Sequence, residues 1–365
     1  MAAISSLSIE GFKSFRRLER LELGPLNVLI GANGSGKSNF LAAFELLAKA
    51  CSARQIAFHV GEAAGADRLL HYGPKVTRSI RFKVNFVDGQ ADFTLLLRHA
   101  AENTLHSGLQ IETDGLPANY AEQFEPEPGL APAVEFLRPR LDGWRAYHFA
   151  DTGRTSRMKG APEVDDNRHL RPDGANLAAY LYLLRARNKR AYSQIRRTVQ
   201  LAAPFFEDFV LKPRSLCPDT IQLEWRHRHS DAHFGTSSLS DGTLRFMALA
   251  TLLLQPVAMR PKVILIDEPE LGLHPYAVTL LAAMLREASV DSQIIVATQS
   301  PLLLDHFEPE EVLVTDRQEG ATTVRRLSAE TLRVWLEDYS LGELWQKNEF
   351  SGRPAPEIVG GRSPA

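Results

Sequence analysis

Apolar residues interspersed with polar ones make Ile4–Ile9 and Leu18–Leu23 strand-like, which predicts two short strands flanking Gly11-Phe12-Lys13-Ser14-Phe15. Pro25 and Asn27 lead into Val28-Leu29-Ile30, a short apolar strand that runs straight into a glycine-rich stretch. Beyond it, Phe40, Leu41, Phe44 and Leu47 recur at helical spacing and predict a helix over Asn39–Ala50. Ser79–Phe86 and Ala91–Leu97 alternate on either side of Asp88-Gly89, the signature of a hairpin. From about Thr113 to Pro132 the chain is rich in Pro, Gly and Glu and reads as a surface loop. Arg145–Ala150 reads as a strand and Asp151–Pro172 as a polar loop. Asn176–Leu201 reads as one helix, with Leu177, Tyr180, Leu181, Leu184, Ile195 and Val199 on one side, and Ile221, Leu223 and Trp225 alternate as one strand. The last third then alternates: helix Thr243–Leu254, strand Val263–Ile266, helix Pro275–Ala288, strand Gln293–Ala297 and strand Glu311–Thr315. Helices between strands predict an α/β fold, with a mainly parallel sheet covered by helices.

Composition alters this picture little. A chain of 365 residues holds one large or two modest domains. With 42 basic against 44 acidic residues the net charge is -2, so no global field draws it to nucleic acid or anionic lipid, and only local patches remain as candidates. Cys51 and Cys217 lie far apart, outside any C-x-x-C spacing, and read as buried thiols in a reducing compartment. The N-terminus lacks the basic start and apolar core of a signal peptide. The longest apolar runs, Ala248–Leu254 and Val263–Ile266, are too short to span a bilayer. A cytoplasmic protein without membrane contact is expected. Residues 351–365 are small and Pro/Gly-rich and read as a disordered tail.

The chemistry starts at Gly31-Ala32-Asn33-Gly34-Ser35-Gly36-Lys37-Ser38, which fits G-x-x-x-x-G-K-[ST] at every position. Its glycines let the backbone curl so that consecutive N–H groups face phosphate oxygens. Lys37 supplies a charge to the β- and γ-phosphates, Ser38 offers a hydroxyl to Mg²⁺, and the following helix adds its positive end. Alone, the loop does not separate ATPase, GTPase and kinase. Val263–Ile266 ends in Asp267-Glu268-Pro269, a buried strand delivering two carboxylates, of which Asp267 suits the metal and Glu268 the attacking water. Leu239-Ser240-Asp241-Gly242-Thr243 precedes an amphipathic helix and by itself is only a helix-capping signal.

Together these residues carry a resemblance. LSDGT resembles the L-S-G-G-Q signature of ABC-type ATPases, DEPELGLHP resembles their Walker B and D-loop, and ATQSP stands at their switch-histidine segment. With IEGFKSF and GANGSGKSN, the chain resembles the RecF/SMC/OLD branch of that family, and within it the stand-alone bacterial "predicted ATPase" proteins. The resemblance implies a P-loop NTPase head over 1–350: an N-terminal lobe with an antiparallel β-subdomain (1–110), an insertion and helical lobe (111–237), and a C-terminal lobe (238–350). It implies ATP hydrolysis with Mg²⁺ held by Ser38 and Asp267, and Glu268 as base. Gly31, Asn33, Gly34, Ser35, Gly36, Lys37, Ser38 and Asn39 would hold phosphate, with Lys13 or Ser14 near the nucleotide. Two heads would sandwich two ATP molecules as a homodimer, Ser240 and Gly242 of one copy touching the γ-phosphate held by the other. Gln299 occupies the place of the switch histidine, with an amide that cannot titrate. His274 stands near the D-loop aspartate position, and Asp151-Thr152 is the candidate for the Q-loop.

His227, His229 and His233 invite a metal reading, but their spacing suits the end of a hairpin better than a closed zinc site. Arg185, Arg187, Lys189, Arg190, Arg196 and Arg197 form a basic run that reads as a solvated face or as a stripe contacting DNA, which Arg154, Arg157 and Lys159 would extend. The role implied is DNA maintenance, repair or defence, with a protein-partner or transporter ATPase as the alternative. Transporter subunits carry their signature much closer to the phosphate loop than Ser240 stands to Lys37, which disfavours that class. A GTPase would need N-K-x-D, and Asn188-Lys189-Arg190-Ala191 lacks the aspartate. The text after ATQSP is too short for the acidic domain of an OLD nuclease.

Overall fold

The computed structural model describes residues 3–89, 91–113, 116–118 and 137–350. From the N-terminus, β1 (Ile4–Phe12), β2 (Phe15–Glu22) and β3 (Leu26–Ile30) precede α1 (Lys37–Leu47) and α2 (Ala53–Glu62). Next come β4 (Ser79–Phe86), β5 (Ala91–Ala100), β6 (Thr104–Thr113), β7 (Leu116–Ala118) and β8 (Trp144–Tyr147). Two helices, α3 (Leu177–Arg187) and α4 (Lys189–Ala202), lead to β9 (Phe206–Val210), β10 (Pro213–Arg214), β11 (Cys217–Ile221), β12 (Glu224–His227) and β13 (His233–Gly235). The last part runs α5 (Asp241–Leu254), β14 (Val263–Asp267), α6 (Pro275–Ser289), β15 (Gln293–Thr298), α7 (Pro301–Leu304), β16 (Val312–Gln318), β17 (Ala321–Arg326), α8 (Ala329–Leu332) and α9 (Leu341–Lys347).

The central sheet has the order β17-β16-β3-β15-β14-β8. Its strands pair in parallel from β8 to β16, and only β17 returns antiparallel, at the edge. The inner strands are apolar at almost every position because both faces are covered. Alternation then sorts them. Val28, Ile264, Ile266, Ile294 and Val296 join a core with α3, α4, α5 and α6. Leu29, Val263, Leu265, Ile295 and Ala297 turn to the opposite core, shared with α1 and the N-terminal sheet. Phe40, Phe44 and Trp144 pack at tilted angles in that second core, each ring removed from water, a burial worth roughly 1.5–3 kcal/mol per side chain. The N-terminal sheet is antiparallel, in the order β2-β1-β4-β5-β6-β7. Its β4–β5 hairpin turns at Asp88-Gly89, where Gly89 takes φ +63°, a conformation that suits glycine.

Three sequence expectations are corrected. Asn176–Leu201 is two helices, not one: Asn188 leaves helical geometry at φ −140°, ends α3, and its side chain accepts the Ala191 N–H to start α4. Asparagine's short amide competes for backbone partners in this way. Ile221, Leu223 and Trp225 are all buried, yet they do not form one strand: Ile221 ends β11 and Trp225 belongs to β12, in a different sheet. Neither thiol is fully buried: Cys217 is exposed and Cys51 half-buried. Of the proline-rich loop Thr113–Pro132, only Thr113 and Leu116–Ala118 are described, and the latter pair with β6; the rest, like the tail 351–365, lies outside the described residues. Among the described residues no helix is long and apolar enough to cross a membrane.

Candidate active site

Parallel strands present all their C-terminal ends at one edge of a sheet, so residues that follow different strands meet there. Gly31 follows β3, Glu268 follows β14, Gln299 follows β15 and His148 follows β8. This topology assembles the site from segments remote in sequence.

The glycine-rich loop is held tightly from behind. A Cβ on Gly31 would lie 2.2 Å from Thr315 Oγ1, and one on Gly36 would lie 2.1 Å from Thr322 Oγ1, so both positions exclude any side chain. Gly36 sits at φ +112°, just ahead of α1. Thr322 Oγ1 lies 2.8 Å from both the Ser35 carbonyl and Ser14 Oγ, and Asn39 donates to Ser14 Oγ at 2.8 Å. Ser14 and Asn39 thus brace the loop. Asn33 and Gly34 form its exposed tip. Lys37 is buried and donates to the carbonyls of Gly31 and Ala32 at 2.6 and 2.9 Å, folded back over its own loop. Burial lowers its pKa, against the opposing pull of Glu268, Asp267 and Glu270.

Ser38 Oγ donates to Asp267 Oδ2 at 3.3 Å, joining the loop to the end of β14. Burial raises the Asp267 carboxyl pKa, with His148, the Ser38 hydrogen bond and Lys37 working the other way. Glu268 adopts φ +43°, rare for a residue with a side chain and costing of order 1 kcal/mol or more. The strain is held by its N–H, which donates to the Ala297 carbonyl at 2.8 Å. Gln299 Nε2 donates to Glu268 Oε1 at 2.5 Å, so the amide orients this carboxylate directly. Glu270, raised in pKa by burial, accepts from Thr298 Oγ1.

Ser240 and Gly242 behave differently. Ser240 is exposed and caps α5, accepting the Thr243 N–H at 3.1 Å; its described contacts stay within that turn. Gly242 is buried against the same chain, where a Cβ would lie 2.1 Å from the Gly272 carbonyl oxygen. Two turns of backbone therefore meet without side chains between them. Arg245, on the next turn, is almost fully buried and donates to the carbonyls of Phe149 and Ala150 at 3.0 and 2.9 Å.

Two elements escaped the sequence reading. The first is His148, one residue past β8, whose Nε2 lies 3.3 Å from Glu45 Oε1 on α1. It faces the acidic centre, while Asp151, of the Asp151-Thr152 pair read as the Q-loop candidate, folds into a turn with Gly153 and Ser156. The signal was topological: β8 neighbours β14, so its first free residue must lie beside Asp267. The Glu45 hydrogen bond raises the His148 pKa and lowers that of Glu45. A raised histidine stabilises the fold fully below its ordinary value of 6.5 and loses that contribution as pH climbs through the raised value. Glu45 keeps its share until pH falls through its own lowered value. His148→Gln is therefore expected to remove a pH-dependent stabilisation of under about 1 kcal/mol, as for other half-exposed pairs. Urea midpoints on either side of neutrality check it; a wild-type difference unchanged in the variant would refute the pairing.

The second is a cavity of about 430 Å³ adjoining the phosphate loop, lined by Lys13, Asn39, Arg68, His71, Tyr72 and Arg317. Lys13 takes φ +47° and is fixed by its N–H to the Leu69 carbonyl and by His71 Nδ1 against its own carbonyl. Arg317, in the cavity wall, also reaches the Gly34 carbonyl at the loop tip. The His274 side chain caps α6 by accepting the Tyr276 N–H. His227, His229 and His233 sit at the β12–β13 hairpin, and among the described residues no group of three or more His, Cys, Asp or Glu forms a metal site.

The model of one family, described as "AAA domain, putative AbiEii toxin, Type IV TA system", matches residues 26–305. Among curated proteins, no sequence matches the chain. Among solved structures the chain is similar to an SMC head bound to the C-terminal winged-helix domain of ScpA, at 18% identity and a TM-score of 0.64 over 90% of this chain and 99% of that one. It is likewise similar to an SMC head with an extended coiled coil, bound to the C-terminal domain of ScpA from Pyrococcus furiosus (17% identity, TM-score 0.61, 93% and 99% covered). The SMC head domain of Thermotoga maritima matches at 15% identity and a TM-score of 0.51, with 89% and 99% covered. At these identities the likeness is one of fold: the P-loop NTPase fold of SMC heads.

Proposed function

The chain belongs to the AAA-domain family, and from that premise we propose that it is an ATP-driven switch that dimerises around ATP and hydrolyses it to ADP and phosphate. The observation that supports this best is the meeting of Lys37, Ser38, Asp267, Glu268 and Gln299 at one sheet edge. Lys37 leaves the Gly31 and Ala32 carbonyls to take the β- and γ-phosphates. Ser38 and Asp267 offer a hydroxyl and a carboxylate in contact, hard oxygens that fit Mg²⁺, which when bound compensates phosphate charge. Glu268 takes a proton from the attacking water, with Gln299 holding its free rotation in check. The cavity beside Lys13 and Tyr72 is of the size and position to receive the nucleoside. Ser240, exposed at the start of α5, with the buried Gly242 behind it, would close the site from a second copy, a helix N-terminus set against an anion.

For the task that turnover drives, we favour DNA. Arg187, Lys189, Arg190 and Arg197 are exposed, whereas Arg196 pairs with Asp208 and Arg185 bonds the Leu211 carbonyl. The family's description, naming a toxin of a type IV system, is in keeping with defence. Steady-state ATPase rates test both parts. Specific activity should climb with protein concentration and then level off, because two copies complete each site; a flat dependence from nanomolar to micromolar would refute sharing. Addition of single- or double-stranded DNA should accelerate turnover, and charge reversal at Arg190 and Arg197 should weaken that effect most at low salt. Indifference to both DNA forms would transfer the role to a protein partner, as ScpA is to the SMC heads.

A further inference from the structure

The L-S-G-G-Q pattern carries glycine where this chain carries Asp241. That residue opens α5 between Ser240 and Gly242, and its side chain is 64% exposed. A carboxylate on the first turn suits the helix alone, because it answers the positive end of the dipole. It does not suit a helix end that must receive the γ-phosphate, because two anions then share one place. The structure holds a counterweight. Lys159 Nζ lies 3.5 Å from Asp241 Oδ1, although the two residues are far apart in sequence. Lys159 does not dangle: its side chain is only 16% exposed. Its turn is pinned by Met158, which is buried, and by Ser156, whose hydroxyl donates to the Asp151 carbonyl at 2.6 Å. Arg245 shares the field of Asp241 but spends its guanidinium on Phe149 and Ala150.

We infer that Lys159 is a positioning residue for the shared site, neutralising Asp241 so that the start of α5 accepts the γ-phosphate of the ATP held by a second copy. This rests on the sandwich reading above. As a stabilising contact the pair counts for little, since half-exposed ion pairs rarely matter to folding. Its effect belongs to the closed interface, where water is excluded and an unbalanced carboxylate weighs more.

The test uses the full chain carrying Glu268→Gln, with ATP-dependent dimerisation followed by sedimentation and ATP binding by the monomer followed with a fluorescent analogue. Lys159→Met should weaken dimerisation about tenfold for each site, or about a hundredfold for the two sites of a dimer, with monomer binding unchanged. Lys159→Arg should retain most of the dimer. Asp241→Asn should dimerise at least as well as its parent, and Lys159→Met with Asp241→Asn should recover that level. Recovery in the double variant is the readout that a merely structural lysine would not give. Equal dimerisation of all variants, or a Lys159→Met defect that Asp241→Asn leaves in place, overturns the inference while the sandwich stands. A Glu268→Gln parent that stays monomeric with ATP and Mg²⁺ removes both.

Discussion

The Glu268→Gln protein is expected to bind ATP, to lose about a thousandfold in turnover, and to accumulate as a dimer in the presence of ATP and Mg²⁺. The magnitude is that of removing one positioned general base. The substitution is conservative where it matters for folding. Gln299 donates to Oε1, and an amide at position 268 still offers an oxygen there. The strained φ of +43° belongs to the backbone and is unchanged in kind. The N–H to the Ala297 carbonyl is kept as well. What disappears is proton acceptance. Single-turnover hydrolysis and gel filtration at micromolar concentration check the two halves separately. Wild-type turnover would remove Glu268 from its role, and a monomer that holds ATP would remove the sandwich.

Lys37→Ala should lower ATP affinity by at least about a hundredfold, the usual consequence of deleting a desolvated cation from a charge-assisted contact. The electrostatics compound the loss. Lys37 faces Asp267, Glu268 and Glu270 together, and without it an incoming triphosphate meets three carboxylates less well compensated. Lys37→Arg is not expected to rescue, because the guanidinium is a planar fork and the space between the Gly31 and Ala32 carbonyls accommodates a point charge. Titration with a fluorescent ATP analogue measures the effect, and a thermal midpoint within a few degrees of wild type excludes unfolding. Normal affinity would show that the loop does not hold the nucleotide.

Much of this site was legible in the sequence because its parts are local. Gly31–Ser38 needs only a strand before it and a helix after it, and both Val28–Ile30 and Phe40–Leu47 announce themselves by pattern. Asp267-Glu268 is readable for the same reason, at the end of an unbroken apolar strand. What stayed hidden depends on which strand lies beside which. His148 has no motif; it matters because β8 pairs with β14. Tyr72 and Arg317 meet at one cavity from distant segments, the Tyr72 hydroxyl donating to the Gly320 carbonyl at 2.8 Å. The break at Asn188 was concealed because apolar spacing continues on both sides of it, and only a capping side chain interrupts the helix. Gly242 was read through its resemblance to the signature, while the close approach of Gly272 gives it a second, purely steric reason.

Arg245 ties the start of α5 to the segment after β8 through two backbone carbonyls, deep in a core where α5 is buried on nearly every side. A shift of a helix so enclosed would carry with it the Phe149–Ala150 segment, one step from His148. In the proposed dimer, the nucleotide that Ser240 meets would belong to one copy, and the nucleotide beside His148 to the other. On the proposed sandwich, occupancy of either site would be felt at its twin, and the pair would fire as a cooperative unit rather than as two independent clocks.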